Sequence, residues 1–478
     1  MESRRGAGFA LAVLFAINLM NFYDRAILGA VGEDIKSEWE LSDSSLGLLG
    51  TAFILLYAVV GVPLGRFADR SNRTRILTVG VFFWSLLTAA SGLAQNFFQM
   101  VGIRLAVGVG EATCAPASTS LIGDYFPASK RARAIGIFML GLPLGNAACY
   151  TLSGLISKQY NWQAAFYVAI IPGLICAALA FMIPEPKRGG SETHSIGAKR
   201  RPGNPYWLVL TTPTVMWIIA SGALHNFNMY AIGGFLSPFL QRFHHCDKVT
   251  AGYIVSFVYG LVGVAGLFLG GFLGDRLYRK RVNGRMLVAA AALAISVPLL
   301  YFALKQPAGE VGPGKLLGVI NVTWSDQAIL FTVLFGVGCG LMYVYYSTVY
   351  STVQDVIEPS LRGTAMALYF CAMYALGGAL GPYGFGIISD LCTKAQARTA
   401  GVELAGLSAK ETFEALKPFM ADGIHDAMFV IPAVNLVLAV VLFAGSRTVK
   451  RDAERLQKWM RESSEETPPK PMAVTQRA

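Results

Sequence analysis

Apolar residues in this chain recur in runs with little or no charge, separated by short polar stretches. Most runs hold about 18–25 residues, enough to span a hydrocarbon core of roughly 30 Å as a helix. Twelve can be marked, at 8–30, 45–66, 76–95, 99–122, 132–156, 164–184, 206–240, 249–274, 286–304, 328–351, 363–389 and 424–446. Those at 206–240 and 363–389 are long enough to tilt or to project from the bilayer. None shows the two-residue alternation of a membrane barrel, so backbone polar groups must be satisfied within helices. The pattern predicts an all-α integral membrane protein with twelve transmembrane helices.

Composition agrees. Of 478 residues, 54% are hydrophobic and 14% charged, whereas a soluble domain carries about 25% charged residues. Lys and Arg set the orientation. With the N-terminus in the cytoplasm, 28 of the 40 basic residues fall in inner segments and 10 in outer loops, leaving Arg25 and Arg104 within helices. This excess predicts cytoplasmic termini and a multi-pass protein of the cell (inner or plasma) membrane. Anionic headgroups then account for the net charge of +11, and no nucleic-acid partner is needed. The first apolar run continues into Asn21, Asp24 and Arg25 without a small-residue cleavage pattern, so it is expected to stay as a helix. Seven cysteines lie mostly inside apolar runs and read as small core residues. His244-His245-Cys246 is a weak candidate for metal binding, and the expectation is no metal.

The chain repeats itself. Gly65, Asp69, Arg70, Arg73 and Arg75 match Gly271, Asp275, Arg276, Arg279 and Arg281 at a constant offset, each string following the second helix of a six-helix half. A second echo, PASKRARAIG at 127–136 and PSLRGTAMA at 359–367, follows each fourth helix. The expected organisation is a six-helix bundle at 1–184, a polar Gly/Pro-rich linker at 185–205, a second bundle at 206–446 and a cytoplasmic tail at 447–478. Two parallel halves of this kind make a transporter, with its site near the midplane between them. A generic basic loop explains the arginines but not an Asp four residues after a Gly in both copies. The string resembles the loop signature of the major facilitator superfamily, Gly-x-x-x-Asp-Arg-x-x-Arg. That resemblance implies two pseudo-symmetric bundles and a gating latch of Gly65, Asp69, Arg70, Arg73, Asp275 and Arg276. In it, Asp69 faces the helix opening near Arg362–Thr364, and Asp275 the one near Arg131–Arg133. A carboxylate beside unpaired N–H groups at a helix start is favourable.

Asp24, Arg104 and Glu111 are charges placed within early helices. Each costs at least about 2.5 kcal/mol on insertion scales, which marks it as a functional candidate. Asn21 shares a face with Asp24. Arg104 and Glu111 are two turns apart, roughly 10 Å along one face. A packing ion pair, or an Asp24–Arg25 end wetted by water, are the alternatives. NLMNFYDR and RLAVGVGEA narrow the resemblance to the spinster family, whose members carry Asn-x-x-Asn-x-x-Asp-Arg on helix 1 and Arg-x-x-x-Gly-x-Gly-Glu-Ala on helix 4. Here these are Asn18, Asn21, Asp24 and Arg25, and Arg104, Gly108, Gly110, Glu111 and Ala112. Eukaryotic members are associated with sphingolipid and lysophospholipid export.

The second half offers His225 and Asn226 with Asn228 on its first helix, and tyrosines including Tyr346 and Tyr369 further on. Aromatic packing is the plainer explanation for each tyrosine alone. Asn146 follows the GLPLG string of the fifth helix, a loose match to a facilitator antiporter motif. In the tail, Ala453, Leu456, Trp459 and Met460 have helical spacing beside basic residues, which predicts a short amphipathic helix on the inner leaflet.

The expected function is a secondary transporter, proton-coupled, for an amphiphilic or lipid-like substrate. The runner-up is a facilitator or proton-coupled transporter of a small polar or anionic metabolite or drug. No Ser-His-Asp set, metal cluster or phosphate loop suggests an enzyme. Asp24, Arg104 and Glu111 are the expected coupling residues, with Asp24 as carrier, Arg104 as its paired switch and Glu111 as rival carrier. Asn21, Arg104, Glu111, Asn146, His225, Asn226, Tyr346 and Tyr369 are the expected substrate contacts. No cofactor is expected beyond H+ as coupling ion. The partners are the substrate and membrane lipids, and the protein is expected to be a monomer.

Overall fold

The computed structural model describes residues 2–186, 203–308, 312–316, 320–324, 326–358 and 361–465. Twelve membrane-length helices run through them. In the first half they are α1 (Glu2–Glu38), α2 (Asp43–Arg70), α3 (Arg73–Ser91), α4 (Phe97–Glu111 and Cys114–Tyr125), α5 (Ala128–Met139 and Gly141–Gln159) and α6 (Trp162–Phe181). In the second they are α7 (Pro213–Arg242), α8 (Lys248–Tyr278, with a π turn at Phe257–Val262), α9 (Gly284–Leu304) and α10 (Asp326–Val356). They end with α11 (Arg362–Thr399, with a π turn at Met373–Gly378) and α12 (Met420–Met428 and Val430–Glu465). Strands β1 (Gly312–Leu316) and β2 (Ile320–Trp324) pair antiparallel between α9 and α10, with Gly314 opposite Val322. No part of the sequence reading anticipates this hairpin.

Helix ends follow local chemistry. Asn72, Asn96, Asn161 and Asp247 each accept a backbone N–H from three residues on, which caps α3, α4, α6 and α8. Ten helices are long and apolar enough to cross a membrane. The other two membrane-length elements are α4 and α7. A break shortens α4, and His225, Asn226 and Asn228 make α7 more polar. The break in α4 falls at Ala112–Thr113. Pro116 has no N–H for the Ala112 carbonyl, so the ladder is interrupted there.

The halves meet through α1 on α7, α2 on α11 and α5 on α8. Glycines permit the close approaches, Gly47 and Gly252 among them. A Cβ on Gly47 would collide with the Pro382 carbonyl, and one on Gly252 with the Tyr150 carbonyl. Both lie toward the end of the molecule opposite the termini.

One expectation changes here. The tail does not start a separate helix, because α12 runs unbroken to Glu465. Its Ala453 and Leu456 are buried, and Asp452 accepts from the Thr214 N–H (2.9 Å) and hydroxyl (2.7 Å) at the start of α7. That anchor holds the extension on the second bundle. Most of the expected linker, 187–202, and the final residues 466–478 lie outside the described residues.

Candidate functional site

Helix α1 presents Asn18, Asn21 and Asp24 at successive turns, with Arg25 one position further round the helix. Asn18 Nδ2 donates to the Phe138 carbonyl (2.7 Å), near the point where α5 is interrupted. Asn21 Nδ2 (2.9 Å) and Arg25 Nε (2.7 Å) both donate to Glu111 Oε2. Glu111 ends the first segment of α4 and is fully buried, and its Oε1 has no partner. Arg25 is almost as enclosed. Its guanidinium lies 4.2 Å from the ring centre of Tyr57 and just over 5 Å from those of Phe22 (5.1 Å) and Phe53 (5.3 Å).

Asp24 and Arg104 are each only 1% exposed. Both Asp24 oxygens, and Nε and Nη1 of Arg104, lack hydrogen-bond partners. The Arg104 guanidinium stands 4.9 Å from the centre of the Phe53 ring. The expected Asp24–Arg104 pair is therefore not formed. The ion pair in this cluster is Arg25–Glu111, at 2.7 Å. The reason is geometric, since the break after Glu111 turns its carboxylate toward Arg25, one residue beyond Asp24. Sequence reasoning placed Arg25 within a helix and in the helix-1 motif but gave it no role in the site. Its place in the Asp-Arg dipeptide was the available signal.

The facing wall is aromatic. His225 on α7 stacks on Tyr345 (4.1 Å between ring centres) and meets Tyr346 edge-on (4.8 Å), with both ring nitrogens unpartnered. The Tyr345 hydroxyl bonds Ser221 (2.9 Å) and Tyr369 (3.1 Å). Rings continue through Tyr350, Phe370 and Tyr374 to Tyr57, so an unbroken aromatic path joins His225 to the ring under Arg25. Tyr374 crosses the seam, packing edge-on to Tyr57 of the first half (5.4 Å). Asn226 donates to the Gly222 carbonyl of its own helix (3.0 Å). Asn228 ties α7 to Ile431 and Asn435 of α12. Asn146 is half-buried on α5. The structure thus gathers Asn21, Asp24, Arg104 and Glu111 on one side of the seam and His225, Tyr346 and Tyr369 on the other.

At the termini end each half has a charge clamp. Arg73, which opens α3, donates to Asp124 (2.5 Å), Glu185 (2.7 Å) and Ser120 (2.8 Å). Burial pushes the Glu185 carboxyl up, but bonds from the Thr74 N–H and hydroxyl and from Arg73 outweigh it and hold the group below its usual range. In the second half Arg285 bridges Asp275 (2.7 Å) and Asp355 (2.6 Å). Asp275 is thus paired with Arg285 on the next helix, and the side chain of Arg131, at the helix start that the latch reading expects it to face, lies outside the described residues. Arg276 is exposed. The side chains of the Gly65, Asp69, Arg70 stretch lie outside the described residues.

Residues 14–382 match the model of the Major Facilitator Superfamily. The chain belongs to that superfamily. It is a transporter with many membrane crossings, as are its relatives. It is 29% identical over 421 residues to Protein spinster homolog 1 of Xenopus tropicalis, covering 83% of this chain and 75% of that protein. It is 25% identical over 390 residues to an MFS-type efflux pump of Mycolicibacterium smegmatis, covering 81% and 86% of the two chains. A crystal structure of a bacterial homologue of the human lysosomal transporter spinster, inward-facing and unoccupied, superposes with a TM-score of 0.79 at 25% identity, covering 94% of this chain and 98% of that one. These likenesses carry the spinster resemblance across both halves, beyond the first-half motifs.

Proposed function

We propose that this superfamily member is a proton-coupled secondary transporter that moves an amphiphilic, lipid-like molecule by alternating access. The observation that carries the reading is the buried cluster of Asp24, Arg25, Arg104 and Glu111. Two acids and two guanidinium groups are shut away from water, yet only one direct pair forms among them. Such an arrangement is costly unless a proton, a ligand or a change of partner completes it. Asp24 feels the charges of both Glu111 and Arg104, so a shift of α1 against α4 changes what a proton on either acid gains. Arg25 sits where rings of the two halves meet, suited to an anionic headgroup whose apolar body lies along the aromatic wall. Asn21, Arg104, Glu111, His225, Tyr346 and Tyr369 are the proposed contacts. With the termini in the cytoplasm of a cell membrane, the sealed end is the outer one, and the protein acts as a monomer. Arg25 equally suits a small anionic metabolite, which is the second reading.

The test is substrate-dependent proton flux in liposomes, with fractionated native lipids, sphingolipids and lysolipids as substrates and small organic anions as the rival set. Wild-type protein should move protons with a lipid fraction. Asp24→Asn should lose that flux at least tenfold while keeping substrate exchange. Equal proton flux in both proteins removes Asp24 and leaves Glu111 as the carrier. Flux with the organic anions alone selects the second reading.

A further inference from the structure

The end opposite the termini is closed by charge pairs that cross from one half to the other, and two of their basic residues flank one short loop. Arg242, the last residue of α7, grips Glu33 of α1 (2.6 Å) and Asp43 at the start of α2 (3.0 Å) through the same guanidinium. Lys248, the first residue of α8, pairs with Asp34 of α1. Lys36 adds a buried bond to Asp43 (2.5 Å), and Lys158 pairs with Asp247 (2.6 Å). Residues 243–247 are thus strung between two of the main basic anchors of the seal.

His244 is the middle of that loop's hold on the protein. It has no exposure to solvent, and neither ring nitrogen has a partner. Its neighbours are the rings of Phe331 (4.9 Å), Phe243 (5.2 Å) and Phe239 (5.3 Å). The next residue, His245, is forced to φ 52°, a left-handed conformation that few non-glycine residues adopt. The seat is therefore apolar and the loop is strained around it.

We propose that His244 is a proton-operated release for this seal: a proton on its ring expels the 243–247 loop from the aromatic seat and draws Arg242 and Lys248 away from Glu33, Asp43 and Asp34. An imidazolium has two N–H donors and a charge, and the seat offers no acceptor for either donor. The charged groups facing His244 add no compensation. His425 of α12 lies beyond Phe243, its Nε2 bonded to the Leu304 carbonyl (2.8 Å) and its Nδ1 3.6 Å from Asp426. Lys305 packs over Phe429 on the far side of His425. On the loop itself, His245 adds like charge, Asp247 is held by Lys158 and the cap of α8, and burial pushes the Cys246 thiol up to about 12. Phe239 and Phe331 bring α7 and α10 against the ring without charge. Burial, then His425 and His245, push the His244 imidazole down to about 4.

The sign follows. A seated His244 is neutral, so the seat is fully stable above the ordinary histidine value of about 6.5 and weakens as pH falls toward 4. One proton linked in this way raises the ratio of open to sealed protein by roughly 70-fold between pH 7.5 and 4.5. This switch is separate from the central carboxylates and stands or falls without the coupling role proposed for Asp24.

The experiment is a spin-label distance measurement on detergent-solubilised full-length protein. Labels go on Tyr160→Cys and Ala400→Cys, exposed sites on opposite halves of the sealed end, with Cys371 and Cys392 changed to Ser. Asp24→Asn and Glu111→Gln are included throughout so that the central acids do not respond. At pH 7.5 a single short distance is expected, and a longer one should grow in as pH falls to 4.5. His244→Phe should hold the short distance at both pH values. If His244→Phe does not fold, His244→Gln takes its place with the same expectation. Arg242→Ala should show the longer distance at pH 7.5. No lengthening in the parent protein, equal lengthening in the His244 variants, or an unchanged distance in Arg242→Ala each overturns the proposal.

Discussion

Arg25 and Glu111 are the pair on which the central cluster turns. Removing one partner leaves the other as a buried charge, which costs about 3–5 kcal/mol, whereas removing both is often much milder. Arg25→Ala and Glu111→Ala should each lower the unfolding temperature markedly, and the double substitution should recover most of the loss. Thermal unfolding in detergent by tryptophan fluorescence checks this, and a double variant as unstable as the sum of the singles contradicts it. Glu111→Ala should also lower transport at least tenfold at matched protein level, with His225→Ala milder. The reverse ranking would move the working site to the second half. Much of this cluster was legible from residues alone, because charges in apolar runs have few uses. The partners were not. Asp24 and Arg25 are adjacent, so they point to different sides of α1, and only the break after Glu111 determines which of them its carboxylate reaches. Asn226 shows the opposite limit, since a polar residue in an apolar helix can bond its own backbone four residues back.

At the scale of elements, segment positions follow from apolar length, and several starts from Asn or Asp caps. What pairs with what at the helix ends is less legible. The sequence offset matches Arg73 with Arg279, but the structure gives the corresponding clamp to Arg285, because the second loop is longer and α9 opens at Gly284. Each clamp joins the start of the third helix of its half to the end of the fourth, through Asp124 or Asp355. The first clamp carries a pH prediction. Glu185 has its carboxyl held low, so its contribution to stability is present above the ordinary glutamate value of about 4.5 and is lost as pH falls through its lower folded value. Glu185→Gln should therefore lower the melting temperature at pH 7, and the gap from wild type should narrow below pH 4. A gap that stays constant across that range would show that Glu185 acts by shape and not by charge. The β1–β2 hairpin and the unbroken α12 extension had no comparable signal. The hairpin's Gly and Pro residues read as loop, and the extension depends on Asp452 reaching Thr214, a partner 238 positions away.

For the whole molecule, one seam is closed tightly at the end opposite the termini, and its tightness comes from missing side chains as much as from charge pairs. Thr51 donates to the Ala379 carbonyl and Asp390 accepts from the N–H groups of Asp43 (2.9 Å) and Ser44 (2.9 Å), so α2 and α11 are bonded directly at this end. The two helices approach this closely because Gly47 on α2 and Gly386 on α11 have no Cβ. The atoms that a Cβ on Gly47 would meet are the Pro382 carbonyl and the Tyr383 Cα, all main chain, so no side chain can swing aside. Gly47→Val must then separate the helices or remain overpacked, at a cost of about 1–3 kcal/mol in the closed state. A conformation already open at this end does not bear that cost. The closed-to-open balance should shift by roughly 5- to 150-fold toward open, at 1.4 kcal/mol per factor of ten. Thiol labelling from the outside at Thr51→Cys, shielded by the seam in the closed form, should rise in the Gly47→Val background, and net transport should fall. Unchanged labelling with normal transport would mean that α2 and α11 do not separate in the working cycle, and the moving contact would have to be sought at α1–α7 or α5–α8.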